Sequence, residues 1–286
     1  MSACAVTLDI GGSHVTAALI DRRARRVTGD IARLDVPHTA PLPDLLAAWT
    51  HVIRQVTHSP VTHLGLAVPG PFDTAGGTSH MTHKFAALRG VPLRDVLRGH
   101  LRGTPAEGVP IHFGNDADLF TLGEWWAGAG AQRDTIGVTL GTGLGSGFVR
   151  AGQIITRGAG VPPGGELWST PYRDGVAETH ASGAAVTRLA RQILGTPLSA
   201  RDLAALDPTR AAPVWQAFGA DLAGLLMPWA AAFGAQRLVL GGNVRRAFPH
   251  FGPALQGALG GGVHAAQSRH FEQAALLGAA LLDGGA

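Results

Sequence analysis

Cysteine, lysine and tyrosine each occur once in these 286 residues, as Cys4, Lys84 and Tyr172. A single cysteine excludes an internal disulfide and a multi-cysteine zinc site, and the plain reading of Cys4 is a small, partly buried apolar residue. No stretch approaches the roughly 18 unbroken apolar residues of a membrane span, and the first residues lack a basic segment followed by an apolar core. No membrane partner and a cytoplasmic location are therefore expected. Charge is also scarce, at 15% of residues and a formal net charge of +3. The sequence pI of about 9.9 looks strongly basic. With so few Lys, Cys and Tyr side chains, however, almost nothing titrates between roughly pH 7 and 10, so the number overstates the basic character. The basic residues are dispersed. Their densest group, Arg22-Arg23-Ala24-Arg25-Arg26, falls where a hairpin turn is expected and reads as a solvated turn, with no nucleic-acid partner implied.

Glycine, by contrast, is abundant, with 41 residues, and two glycine turns stand out. Asp9-Ile10-Gly11-Gly12-Ser13 and Leu140-Gly141-Thr142-Gly143-Leu144-Gly145 each lie between β-rich apolar runs, and Asn115-Asp116-Ala117-Asp118 falls between them in sequence. A turn without Cβ atoms lets backbone N–H groups approach phosphate oxygens closely, and two such turns from separate halves of a chain can hold a nucleotide's phosphates from opposite sides. An acid between them has obvious catalytic work.

The length suits about two domains. Residues 5 to 10 and 14 to 20 read as strands joined by the first turn, and 61 to 68 as a third, buried strand. Asp44 after Pro43 can cap a helix to about residue 57, and Pro92 opens another through Leu101. A strand at 110 to 113 leads into Asn115, after which Ala117, Leu119, Leu122, Trp125 and Trp126 form a helical apolar stripe. Asp116 then lies at a strand end and a helix N-terminus, where the helix dipole favours an anion. The pattern restarts with strands at 135 to 140 and 146 to 149, implying two similar halves. Helices are expected at 180 to 194, 213 to 233 and 271 to 282, with a strand at 237 to 240 ending in Gly241-Gly242. The expected boundaries are 1–117 plus 271–286 for one lobe and 118–270 for the other.

These residues resemble the sugar kinases of the ROK family, of the actin, hexokinase and Hsp70 superfamily. The resemblance covers essentially the whole chain. It rests on Leu8-Asp9-Ile10-Gly11-Gly12, Val68-Pro69-Gly70-Pro71-Phe72-Asp73, Asn115-Asp116-Ala117-Asp118, Thr139-Leu140-Gly141-Thr142-Gly143-Leu144-Gly145, Gly164-Gly165-Glu166 and Leu240-Gly241-Gly242, six motifs in the family's order and spacing. It implies an α/β, two-lobed actin-like ATPase (ribonuclease H-like) fold, with a mixed sheet and flanking helices in each lobe. The lobes would close over a cleft with ATP against the second. Gly11, Gly12 and Ser13 would meet the β- and γ-phosphates from one side and Gly141, Thr142 and Gly143 from the other, with Gly241 and Gly242 beside the adenosine. Asp9 is suited to hold Mg²⁺ through water, since that ion keeps much of its hydration. The bland alternatives are a turn-capping Asp9 and an ordinary tight turn at Gly241-Gly242.

Asp116 would accept the proton of a sugar hydroxyl as the bond to γ-phosphorus forms, an effect worth about 10²- to 10⁴-fold. Asn115 and Gly70 would meet the sugar, although Asn115 can instead cap the following helix, and Asp118 is expected to face away and be solvated or capping. Glu166 and Glu178 match two glutamates with which such kinases hold sugar hydroxyls; Glu178 alone is also an ordinary helix N-terminal acid. The resemblance implies glucose or a close relative, phosphorylated at the 6-hydroxyl. An amino- or N-acylated sugar and a non-catalytic sugar-sensing protein stay open as alternatives. Repressors of this family place a DNA-binding module before the first strand, and none is expected here, since that strand begins almost at once. Dimers are common in the family it resembles, so the resemblance implies a homodimer.

Three departures concern the acceptor side and the first turn. Many members carry a His shortly after the Glu166 position, followed by cysteines that bind structural zinc. Here Ser169 stands at that place, with no cysteine, so neither a zinc site nor that sugar contact is expected. Trp168 or Tyr172 could supply a packing surface instead, and a buried aromatic holding the shortened loop is the favoured reading. Lys84 stands alone against 22 arginines. Either a compact ammonium group is needed in the sugar pocket, or it is a chance surface lysine. Ser13-His14 replaces a more usual Thr-Lys and removes a fixed positive charge. His80 and His83 read as loop histidines.

Overall fold

The structure, a computed structural model, describes residues 4–82 and 84–282, so His83 lies outside the described residues. The chain divides into two compact units, Met1–Gly123 with Glu272–Ala286, and Glu124–Phe271.

The first unit is built on β1 (Cys4–Ile10), β2 (His14–Asp21), β3 (Arg26–Asp35), α1 (Leu42–Val56), β4 (Leu64–Val68), the small hairpin β5 (Phe72–Asp73) and β6 (Thr78–Ser79), α2 (Leu93–His100), β7 (Ile111–Asn115) and α3 (Asp116–Ala127). Its main sheet runs β3-β2-β1-β4-β7, with β1, β4 and β7 parallel and the other pairs antiparallel. Alternation decides the faces: Val6, Leu8 and Ile10 join a buried cluster with Leu45, Trp49, Val52 and Ile53, spaced along one stripe of α1. Thr7 and Asp9 therefore point to the other face. Arg22–Arg25 do form the β2–β3 turn, where the Asp21 carboxylate accepts hydrogen bonds from the Arg23 and Ala24 N–H groups.

Several boundaries differ from expectation for identifiable reasons. β3 carries little apolar alternation because it is a sheet edge with mostly exposed residues. The strand expected from residue 61 starts at Leu64. α1 starts after Pro41 with no side-chain cap, which leaves Asp44 inside the first turn as a dipole-favoured acid.

The second unit repeats the plan with β8 (Thr135–Leu140), β9 (Leu144–Arg150), β10 (Gln153–Ile154), β11 (Pro171–Tyr172), β12 (Gly175–Val176), α4 (Ala177–His180), α5 (Gly183–Leu194), α6 (Ala200–Ala204), α7 (Pro208–Phe233), β13 (Arg237–Gly241), α8 (Phe248–Leu259) and β14 (His264–Gln267). Its sheet order is β10-β9-β8-β13-β14, again three antiparallel strands followed by parallel neighbours. The helix expected over 180 to 194 is two helices, because Ser182 interrupts it and caps α5 by accepting from the Ala185 N–H. α7 begins five residues earlier than expected, capped by Asp207.

The division falls within α3, after Gly123, where the sequence suggested residue 117. Gly123 packs against the backbone of Ala274 in the first unit's last helix, Ala274–Ala279, and has no room for a Cβ. Glu124 instead bonds the stretch 268–270 in the second unit. Among the described residues no helix is long and apolar enough to cross a membrane.

Candidate active site

In the first unit the parallel strands β1, β4 and β7 end on the same edge of the sheet, so their carboxyl ends bring Asp9 with the turn after it, Gly70, and Asn115 with Asp116 to one rim. Such rims are where open α/β sheets bind ligands. Register places Asp9 opposite Ala67, and Ala67 opposite Gly114, one residue before Asn115. Asp9 is partly buried there, and its pKa is pushed from 3.8 up to about 7, chiefly by burial, then by the charges of Asp116 and Glu272, with Arg33 pulling the other way. A carboxyl whose charged form is this disfavoured, with a second acid in electrostatic reach, suits a cation that needs only one or two carboxylates and keeps its waters.

The first glycine turn closes on itself, because the Gly11 N–H donates to the His14 carbonyl at 2.9 Å. Of its three N–H groups, those of Gly12 and Ser13 have no backbone acceptor among the described residues. The turn is tied to the segment after β3 by the His38 N–H to the Gly12 carbonyl and the Val36 N–H to the Ser13 carbonyl. Ser13 Oγ lies 3.2 Å from His14 Nδ1. The His14 pKa is held down by partial burial and then by Arg33, which leaves that position without the cation a lysine would supply.

Asp116 opens α3 directly after β7, with one carboxylate oxygen accepting from the Ala117 N–H at 2.8 Å. Asn115 does cap this helix: its Oδ1 accepts from the Ala117 and Asp118 N–H groups at 3.0 and 3.3 Å. Its amide NH₂ makes no hydrogen bond among those described. Asp118 is buried, contrary to the solvated position expected, because residues 117 to 124 of α3 are buried on every side. Lys84 is exposed, and the residue after it, Phe85, is buried edge-on against His38, whose N–H holds Gly12. That chain of contacts fixes the lysine's backbone with respect to the first glycine turn.

In the second unit the Gly141-Thr142-Gly143 turn joins β8 to β9 and is braced from two sides. The first residue of α5, Gly183, donates its N–H to the Gly141 carbonyl at 2.8 Å, so the positive end of that helix meets the turn. Glu178 Oε2 accepts from the Leu144 N–H at 3.0 Å, and a Cβ on Gly143 would stand 2.6 Å from the same oxygen. Glu178, expected at the sugar, thus spends one oxygen on the second glycine turn. Gly242, at the end of β13, has φ +73, and a Cβ there would lie 2.3 Å from the Leu140 carbonyl oxygen. Only glycine lets the two strand ends come so close.

Glu166 is exposed and set by a residue that sequence reasoning missed. Ser146, buried in β9, donates its hydroxyl to the Gly165 carbonyl at 2.6 Å and accepts the Leu167 N–H at 2.9 Å, clamping the backbone on both sides of Glu166. The only available signal was a small polar residue at an inward position of β9. Of the two aromatics considered for this loop, Trp168 is not the buried one: it is 45% exposed, and its indole Nε1–H donates to Glu166 Oε2 at 3.0 Å. The role of holding the loop falls to Tyr172, whose hydroxyl donates to the Asp221 carbonyl at 3.0 Å, and to Arg173, paired with the Asp221 carboxylate at 2.7 Å.

The sequence profile of the ROK family matches residues 5–283. Glucokinase of Thermotoga maritima is 28% identical over 198 residues, covering 65% of this chain and 60% of its own length. The DNA-binding transcriptional repressor Mlc of Escherichia coli is 24% identical over 206 residues, covering 68% and 49%. The chain thus spans about half to three-fifths of the length of these curated relatives. A ROK family glucokinase from Streptomyces griseus, solved in complex with glucose and AMPPNP, superposes with a TM-score of 0.74 at 20% identity, over 99% of this chain and 100% of that one. The fold is accordingly the α/β, actin-like fold with two mixed sheets and flanking helices.

Proposed function

Because the chain belongs to the ROK family, we propose that it is an ATP-dependent hexose kinase, acting on the 6-hydroxyl of glucose or a close relative. Both a glucokinase and a repressor are among its relatives, so the residues decide between catalysis and sensing. The observation that carries the kinase reading is Asp116, at the end of β7 and the start of α3, within electrostatic reach of Asp9. A protein that only senses a sugar has no use for two acids whose charges oppose each other; a phosphoryl transferase uses one as base and the other for its cation.

Asp116 accepts the proton of the attacking hydroxyl as that oxygen bonds to γ-phosphorus, while the bond from γ-phosphorus to the bridging oxygen breaks and ADP leaves. Asn115, through its free amide, and the carboxylates of Glu166 and Glu178 hold the other hydroxyls. Charged acceptors give bonds of roughly 1.5 to 3 kcal/mol and penalise an analogue that lacks the hydroxyl. The N–H groups of Gly12, Ser13, Thr142 and Gly143 and the N-terminus of α5 bind phosphate oxygens. Asp9 would hold Mg²⁺ through water, and the ion, when bound, supplies charge neutralisation on the phosphates. We further propose that the reaction runs in the cytoplasm, where ATP is available, and that the protein is a homodimer, a state common in the family it belongs to.

The test is ATP turnover against glucose, mannose, glucosamine and N-acetylglucosamine, repeated on the best acceptor with Asp116→Asn. The expected result is a kcat lower by about 10²- to 10⁴-fold with sugar binding retained. Sugar that stabilises the fold thermally without stimulating ATP use in the wild type would replace the kinase reading with the sensing one. Preferred turnover of N-acetylglucosamine would move the acceptor to the N-acylated class.

A further inference from the structure

Trp168 touches both residues whose carboxylates are assigned to the acceptor, Glu166 through its carboxylate and Glu178 through its backbone. Its indole Nε1–H donates to Glu166 Oε2 at 3.0 Å, and its backbone carbonyl accepts the Glu178 N–H at 3.1 Å. The backbone around it is fixed as well. Leu167 is fully buried, with its N–H on Ser146, and its carbonyl accepts both the N–H and the hydroxyl of Thr170, at 2.9 and 2.7 Å. Nearly half of the side chain is nevertheless exposed on this anchored backbone. Its one polar side-chain atom is already paired, so what it offers is apolar ring surface beside the Glu166 carboxylate. The loop does not need that ring for its own packing, since Tyr172 and Arg173 already attach it to Asp221 on α7.

A pyranose has the complementary chemistry: hydroxyls round its rim for carboxylates, and patches of C–H on its faces for an apolar surface. Binding sites for small polar molecules commonly pair a few placed acceptors with an aromatic wall, because the wall adds contact area with little side-chain entropy to lose. We propose that Trp168 is an acceptor-specificity residue of this protein: its indole face packs on a C–H face of the hexopyranose, while its N–H holds Glu166 in the orientation that receives a hydroxyl. The inference rests on the hexose reading above and extends it, because it makes the aromatic wall, together with Glu166, the element that discriminates among acceptors.

The test compares wild type, Trp168→Phe and Trp168→Ala in the full chain. Sugar binding is followed without ATP by intrinsic tryptophan fluorescence and by thermal shift, and turnover is followed with ATP. In the wild type, adding the accepted sugar changes the tryptophan emission, and Trp168→Phe abolishes most of that change while sugar still raises Tm. Trp168→Ala raises the KM for sugar by about 10- to 100-fold, with the KM for ATP within about twofold. Trp168→Phe, which keeps an aromatic face and loses the N–H, raises the sugar KM by less than about fivefold.

A sugar KM unchanged in Trp168→Ala overturns the inference. Equal losses in both variants overturn the stacking part, since the N–H to Glu166 would then account for the whole effect. A wild type that binds sugar without turnover overturns the kinase reading and still tests Trp168 through the emission change. A wild type that binds no sugar at all overturns both.

Discussion

Glu124 is a fully buried carboxylate with four hydrogen-bond donors, and replacing it should unsettle the second unit. Oε1 accepts from the Ser268 hydroxyl at 2.7 Å and the His270 N–H at 2.8 Å; Oε2 accepts from the Ala129 N–H at 2.8 Å and the Arg269 N–H at 3.2 Å. A carboxylate with acceptors only, and room for about four donors, matches this set without a proton of its own. In Glu124→Ala all four donors lose their partner. Leaving buried groups unpaired around a lost charge costs about 3–5 kcal/mol, a large share of the roughly 5–15 kcal/mol that holds a domain together. In Glu124→Gln one oxygen still serves two donors, but the new NH₂ faces either two N–H groups or the His270 N–H and the Ser268 hydroxyl, of which only the hydroxyl can accept; at least one buried N–H loses its partner, so about 1–3 kcal/mol is expected. Gly128 sharpens the test, because a Cβ there would lie 2.2 Å from Oε2, so the glutamine cannot swing toward it without meeting backbone. The assay is urea unfolding of both variants, reading the midpoint with an unchanged slope. Loss of less than about 0.5 kcal/mol in Glu124→Gln would refute the claim that the carboxylate, rather than the surrounding packing, holds this corner.

Asp9 should make stability depend on pH in the unusual direction. Its carboxyl is raised from 3.8 to about 7 in the fold, so between those values the folded state keeps a proton that the unfolded chain has released, and its contribution weakens as pH rises from about 4 to about 7. At about 1.36 kcal/mol per pKa unit the full effect is roughly 4 kcal/mol, and partial solvent exposure reduces it to roughly 2. In magnesium-free buffer Asp9→Asn should therefore gain that much on the wild type between pH 4 and pH 8; a constant difference between the two across that range would contradict the raised pKa. Gly242→Ala places a methyl 2.3 Å from a backbone oxygen at positive φ and should cost at least about 3 kcal/mol in thermal or urea unfolding. Gly143→Ala meets only the end of the Glu178 side chain, at 2.6 Å. It should stay folded while the KM for ATP rises several-fold, and equal stability losses in the two alanine variants would count against this distinction.

What the sequence disclosed and what it withheld divide by range. The glycine turns, the Asp116 position and the repeated strand pattern are carried by residues adjacent in the chain, where missing Cβ atoms, alternation and a strand-to-helix junction leave local marks. Ser146 and Glu124 leave almost none, because their partners lie far along the chain: Ser146 clamps residues 165 and 167, and Glu124 bonds residues 268 to 270. β3 escaped detection because an exposed edge strand has no apolar alternation to read. Glu178 shows the same division within one residue. Its spacing from Glu166 suggests a sugar contact, whereas its bond to Leu144 depends on how α4 folds back against the β8–β9 turn. The two readings are compatible because a carboxylate has two oxygens: Oε2 holds the Leu144 N–H of the glycine turn, and Oε1 has no protein donor among the described hydrogen bonds and suits a hydroxyl. On the proposed kinase reading a single group would touch both ends of the reaction, so a sugar that draws Glu178 out of place would also loosen the Gly143-Leu144 backbone. Acceptor discrimination in this chain should therefore reach phosphate binding through Glu178, without any change in the glycine turn itself.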